Sequence, residues 1–171
     1  MTSVLEADPD TESDIDRFEL VLGERLEVAD FSYRMDTERT APDDDAPGGG
    51  LSMRACSYPG RARRACVAVM NRRHLDAYAD RMGLLVSELV TNAVQHALED
   101  EIRVCLEIGT EALVLMVRSG SAGEARRRLP SDTEESGRGL WLVEEMADRY
   151  GTSDDGAWAC CAVYLPHEEA S

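Results

Sequence analysis

The chain of 171 residues contains no lysine, and its 18 basic residues are all arginine. That excludes any chemistry built on a lysine ammonium, including a P-loop ending in Gly-Lys-Ser/Thr and a protein kinase of the eukaryotic type. No apolar run approaches the roughly 20 residues that cross a bilayer. The stretch from Met1 to Asp10 is acidic where a secretory signal is basic. Together these absences predict a soluble, cytoplasmic protein with no membrane partner. Cysteine is scarce and odd in number, at Cys56, Cys66, Cys105, Cys160 and Cys161, and no Cys-x-x-Cys or Cys/His ligand spacing occurs. A zinc site or a secreted disulfide framework is therefore not expected, and the cysteines read as small buried hydrophobes. Cys160 and Cys161 fall in a predicted strand, where neighbours point to opposite faces and a bridge between them would be strained.

Positive charge is in short supply as well: 34 acids leave a net charge of −16. Residues 1–50 hold 15 acids and 4 bases, a net of −11, so most of the imbalance belongs to the N-terminal third. An acidic chain repels phosphate backbones, which argues against direct nucleic-acid binding. The local basic clusters, Arg61, Arg63 and Arg64, and Arg126 to Arg128, read as solvated surface.

The size suits one domain with an extension. Residues 1–14 and 36–50 have the acidic, Pro/Gly-rich composition of segments that bury too little to order themselves, so 1–50 reads as a largely disordered extension. Within it Ile15, Phe18, Leu22, Leu26 and Phe31 recur at spacings near three and four, which predicts a short helix at 15–31. A domain is expected over 51–167, with 168–171 as a tail. Its order is a strand at 51–58, a helix at 61–75, a longer helix from Asp76 to about Leu98, and a hairpin of Ile102–Ile108 and Ala112–Val117. A long polar loop at 119–137, a helix at 140–150 and two closing strands around the Asp155-Gly156 turn follow. Helices on one face of a mainly antiparallel sheet make this an α+β fold.

Two stretches carry chemistry. In LVSELVTNAVQHA, residues 85–97, Glu88, Asn92 and His96 share one helix stripe beside the apolar Leu85, Leu89 and Ala93. An acid and an amide one turn apart suit a magnesium-nucleotide site, because Asn offers a neutral oxygen to a hard cation and Glu can accept a proton. On spacing alone a solvated polar stripe is the simpler reading. The second stretch is Ser136-Gly137-Arg138-Gly139-Leu140, where two glycines at a helix start let backbone N–H groups approach phosphate oxygens, with Arg138 to reinforce them. A lone Gly-x-Gly is often only a flexible loop end.

The two stretches occur in this order across a β-hairpin, and there the sequence resembles the GHKL ATPase superfamily. Within it the likeness is to the anti-sigma-factor serine kinases and the stand-alone ATP-binding regulators of actinobacteria, whose GC-rich genomes the arginine-only composition fits. It spans roughly Ser52 to Pro166, with SELVTNAVQHA similar to the N box and SGRGLWLVEEMADRYG similar to the G2 box and its helix. The resemblance implies a two-layer α/β sandwich of the Bergerat type that binds ATP and Mg²⁺. It implies Glu88 as general base, Asn92 as the Mg²⁺ ligand, and Gln95 and His96 near the phosphates or lid. Ser136, Gly137, Arg138, Gly139 and Leu140 would form the phosphate turn, and Ser119 to Ser136 the ATP lid. It further implies a sigma factor and an anti-anti-sigma factor as partners, the latter phosphorylated on serine, and it allows a homodimer.

One position departs from that pattern. Where the relatives place an adenine-reading aspartate at the end of the second hairpin strand, this chain has Ser119, whose hydroxyl can still accept a hydrogen bond or hold a water and so keep a cofactor-binding role. The last strand, DGAWACCAVYL, also lacks the Gly-Lys-x-x-Trp character of the relatives. Both departures move weight towards a degenerate, protein-binding regulator with weak or no nucleotide binding. Trp141 reads first as a packing residue, with the lid hinge as the alternative, and Trp158 and Tyr164 read as one strand face. His74 lacks the surroundings of a phosphoacceptor.

Overall fold

The structure, a computed structural model, describes residues 18, 20–35, 53–96, 101–120, 136–153 and 155–166. The described elements are β1 (Arg25–Arg34), α1 (Met53–Cys56), α2 (Tyr58–Arg72), α3 (Asp76–His96), β2 (Glu101–Gly109), β3 (Ala112–Arg118), α4 (Ser136–Met146), β4 (Arg149–Thr152) and β5 (Trp158–Tyr164). The strands form one antiparallel sheet in the order β1-β2-β3-β5-β4. The main core lies between the helices and one sheet face, so the α+β sandwich expected from the sequence is present. No helix among the described residues is long and apolar enough to cross a membrane.

The long helix and the hairpin fall where the pattern places them. In α3, Met82, Leu85, Val86, Leu89, Val90, Ala93 and Val94 are buried, forming two adjacent stripes that meet other helices and the sheet. Helix α2 begins with Pro59 in its first turn, where no N–H is missed. It ends in a Schellman motif: His74 takes φ +56, its N–H donates to the Asn71 carbonyl, and the Leu75 N–H donates to the Met70 carbonyl at 2.9 Å. The role of His74 is thus to turn the chain into α3.

Three expectations are corrected. The helix expected at 15–31 gives way to β1: Phe18, Leu20 and Val21 are helical, Gly23 at φ +70 ends that turn, and residues 25–34 form an edge strand. Ile15 lies outside the described residues, and among those described the helical spacing holds only for Phe18 and Leu22, buried to 3% and 2% on the sheet face opposite the helices. From Glu27 onward the inward residues are Glu27, Ala29, Phe31 and Tyr33, a period of two. The strand expected at 51–58 is helical from Met53, with Ala55 and Tyr58 buried three residues apart. The edge position on the sheet is filled by β1. The helix expected to reach Tyr150 stops at Met146, because the Asp148 N–H joins the Ala162 carbonyl and leads into β4.

Trp141 is a further correction, being 60% exposed. The core contact of α4 is made by Val143, fully buried two residues on and so on the opposite helix side.

Cys160 and Cys161 do point to opposite faces, one into each hydrophobic cluster, and none of the five cysteines forms a disulfide. Burial pushes the Cys66 thiol up to about 12 and raises the Cys161 thiol as well. Burial and a hydrogen bond with Asp30 raise Cys105 to about 12. Since the thiolate is the nucleophile, brief iodoacetamide treatment of the native protein at pH 8 is expected to label exposed Cys56 alone. Peptide mass spectrometry reads the result, and equal labelling of Cys66 or Cys161 would contradict the packing.

Candidate functional site

Helix α3 supplies the polar stripe. Glu88 and Asn92 are half-buried and one turn apart, a rise of about 6 Å, beside the buried Leu85, Leu89 and Ala93. Their polar neighbours on the helix are occupied locally. The Ser87 hydroxyl donates to the Gly83 carbonyl at 2.9 Å and the Thr91 hydroxyl to the Ser87 carbonyl at 2.8 Å. Gln95 and His96 are exposed in the last turn of the helix.

Helix α4 brings the glycine turn to this stripe. A Cβ on Gly139 would stand 2.7 Å from Glu88 Oε2, so the backbone of α4 meets the Glu88 carboxylate at a distance that only glycine permits without displacing it. Gly139 lies in the first turn of α4, where backbone N–H groups have no intrahelical acceptor and the helix end is positive. An acid and a glycine-rich helix start are thereby held side by side. Ser136, Gly137 and Arg138 open the same helix, and Leu140 behind them is half-buried. The lid expected over 119–136 lies outside the described residues except for Ser119, Gly120 and Ser136.

Ser119 follows β3 and is half-buried. Its N–H donates to the Ala157 carbonyl at 3.0 Å, and the buried Gly120 turns the chain at φ +96. Ala157 is itself fixed: Asp155 Oδ1 accepts from its N–H at 2.9 Å and from the Ser153 hydroxyl at 2.6 Å. These bonds, the Ser153 one foremost, hold the Asp155 carboxyl below its ordinary value. The end of the β4–β5 hairpin therefore sets the backbone position of Ser119. The structure brings Glu88 and Gly139 into direct approach, and it ties Ser119 to Ala157, the residue before β5.

Two further residues, absent from the sequence reading, organise this region. Arg81 Nε on α3 donates to the Met146 carbonyl at 2.5 Å, and its Nη2 pairs with Asp148 Oδ1 at 3.0 Å. They lie far apart in sequence, and no local spacing links them.

The donor chemistry fits a magnesium-bound nucleotide. Gly139 lets the first turn of α4 come up against the Glu88 carboxylate, and Asn92 provides an amide oxygen one turn from that acid. Among the described residues no three His, Cys, Asp or Glu side chains gather as metal ligands. A magnesium ion shared with phosphates needs only one or two protein oxygens.

A two-layer α+β sandwich, whose long third helix carries an amide one turn from an acid and sets that acid against a glycine-rich helix start, defines a nucleotide-binding domain of the GHKL type. Residues 51–161 match the histidine kinase-like ATPase domain, and the chain belongs to that family. Membership implies ATP binding. No curated protein matches the chain.

Proposed function

We propose that the chain is an ATP-dependent protein serine kinase of the anti-sigma type, acting in the cytoplasm by partner switching. It would hold a sigma factor and phosphorylate a serine of an anti-anti-sigma protein. The observation that supports this reading is the approach of Gly139 to Glu88, since a general base of the proposed reaction would have to stand beside a phosphate-binding helix start.

In the proposed reaction Glu88 takes the proton from the partner serine hydroxyl as that oxygen attacks the γ-phosphorus, and ADP leaves with the electrons of the broken P–O bond. The backbone N–H groups at the start of α4 and Arg138 would bind phosphate oxygens. Asn92 would hold Mg²⁺, which when bound neutralises charge on the phosphates. Gln95 and His96 sit one turn beyond Asn92, where a closing lid would meet them. A homodimer is compatible with this reading.

A second reading, a binding module with little nucleotide affinity, is favoured by Ser119 and by the departure in the last strand. A hydrogen bond to a charged group contributes about 1.5–3 kcal/mol. Its absence would therefore weaken adenine binding by roughly 10- to 150-fold. Calorimetric titration with Mg-ATP separates the two readings. The wild type is expected to bind, Asn92→Ala to lose binding, and Ser119→Asp to bind tighter within that range. No wild-type binding, with binding restored in Ser119→Asp, would establish the binding module instead. No binding by either would remove the nucleotide site.

A further inference from the structure

The candidate base and the glycine turn lie on different helices, so their alignment depends on how far along α3 the helix α4 is seated. Two contacts set that distance. At one, Gly139 meets Glu88. At the other, Arg81 donates to the Met146 carbonyl and pairs with Asp148. Arg81 precedes Glu88 by seven residues of α3, and Met146 follows Gly139 by seven residues of α4. Two helical turns, about 10.5 Å, therefore separate the contacts on both helices. The two spans match because the helices run in opposite directions where they touch.

The chemistry at the second contact is specific. The Met146 carbonyl is among the last four of α4, which have no intrahelical donor, and a guanidinium there also meets the negative end of the helix. Asp148 Oδ2 accepts the Tyr164 N–H at 2.7 Å, so the same carboxylate anchors the junction to the end of β5. The side chains of Arg81 and Asp148 are 32% and 33% exposed, shielded enough to hold one geometry. Val143 between the contacts is fully buried and keeps α4 on the domain whether or not the Arg81 contact exists.

We propose that Arg81 is a positioning residue for the nucleotide site, seating α4 so that Gly139 and the turn before it stand against Glu88. The proposal rests on the reading of that turn as the phosphate site. Without the guanidinium, α4 stays attached through Val143 but is free to shift along α3 or pivot, and the shift is felt at the glycine turn, two helical turns away.

The test is calorimetric titration of the full chain with Mg-ATP, together with thermal melting. Arg81→Met, which keeps the aliphatic stem, is expected to weaken binding about tenfold or more, a change of about 1.4 kcal/mol at tenfold. Arg81→Lys, which keeps the charge but not the fork, is expected to fall between it and the wild type. Should Arg81→Met not fold, Arg81→Lys carries the same test. The decisive readout is a double-mutant cycle with Gly139→Ala. Sites this far apart multiply their effects when independent, whereas two changes that act through one register give a double variant weakened by less than the product. Affinity unchanged in the folded Arg81 variants, or losses that multiply, would overturn the positioning role while leaving the site in place. No binding by the wild type would overturn the site itself, and the proposal with it.

Discussion

Exchange of Glu88 for glutamine is expected to slow phosphoryl transfer to the partner serine by about 100- to 10,000-fold, the range of a lost general base. Mg-ATP affinity should stay within about threefold, a change of well under 1 kcal/mol. The separation follows from shape. Glutamine has the size of glutamate, so the narrow space between residue 88 and Gly139 is filled as before, and α4 keeps its seat. What changes is basicity, because an amide oxygen does not take a proton from a serine hydroxyl. The buried Leu85 and Leu89 flanking Glu88 are untouched, so the melting temperature should move little. Single-turnover transfer of labelled phosphate, beside calorimetry on the same preparation, reads both halves. A transfer rate within tenfold of the wild type would remove Glu88 from the role of base. A large loss of affinity would instead make it a binding residue.

How much of this was legible in the sequence depends on whether a signal was local. Helix α3 announced itself because two full apolar stripes repeat along it, and the hairpin because two apolar runs flank a Gly-Thr-Glu turn. Strand β1 was hidden by two features. Phe18, Leu22 and Leu26 share helical spacing although Gly23 ends the helix before Leu26, which is 53% exposed on the strand. The inward face of the strand begins with Glu27, whose carboxylate accepts hydrogen bonds from Arg72 and Arg73 at the end of α2, so the alternation starts on a charged residue. No single-sequence pattern reveals that such an acid faces inward.

The site divides along the same line. Glu88, Asn92 and Gly139 were legible because each sits in a short motif whose spacing reflects one helix. That Gly139 comes to rest on Glu88 was not, since it depends on the crossing of two helices joined through a hairpin and a long loop. Arg81 was invisible for the same reason: its acceptors, Met146 and Asp148, are more than 60 residues away along the chain. Trp141 was misread as packing because it neighbours the glycine turn in sequence, whereas helix geometry turns it away from Val143.

The same dependence on a distant partner makes Gly109 the position where one methyl group should do most damage to the fold. Gly109→Ala is expected to cost about 3 kcal/mol or more, at the upper end of what overpacking does. No left-handed conformation is involved, so the penalty is steric. A Cβ there would overlap the Leu22 carbonyl oxygen and stand 2.6 Å from Leu22 Cγ and 2.8 Å from the Leu22 carbonyl carbon. These atoms cannot easily give way. The Leu22 carbonyl accepts the Glu111 N–H at 3.2 Å, the Glu24 carbonyl accepts the Thr110 N–H at 3.0 Å, and the Glu24 N–H donates to the Thr110 hydroxyl at 3.0 Å. Displacing them would lift Leu22 and Phe18 off Val114, Cys160 and Ala162, and burial of each such side chain contributes about 1.5–3 kcal/mol. The melting temperature should fall by roughly 6–12 °C. Trp158, half-buried at the edge of this cluster, should show red-shifted emission as the segment lifts. Gly156→Ala is the control: its φ of +68 makes the exchange strained, but nothing lies within 4 Å of an added Cβ. It should cost only about 1–2 kcal/mol. A Gly109→Ala protein that melts with the wild type and keeps its emission would show that Leu22 does not rest on the hairpin, and that Phe18 and Leu22 contribute nothing to the core.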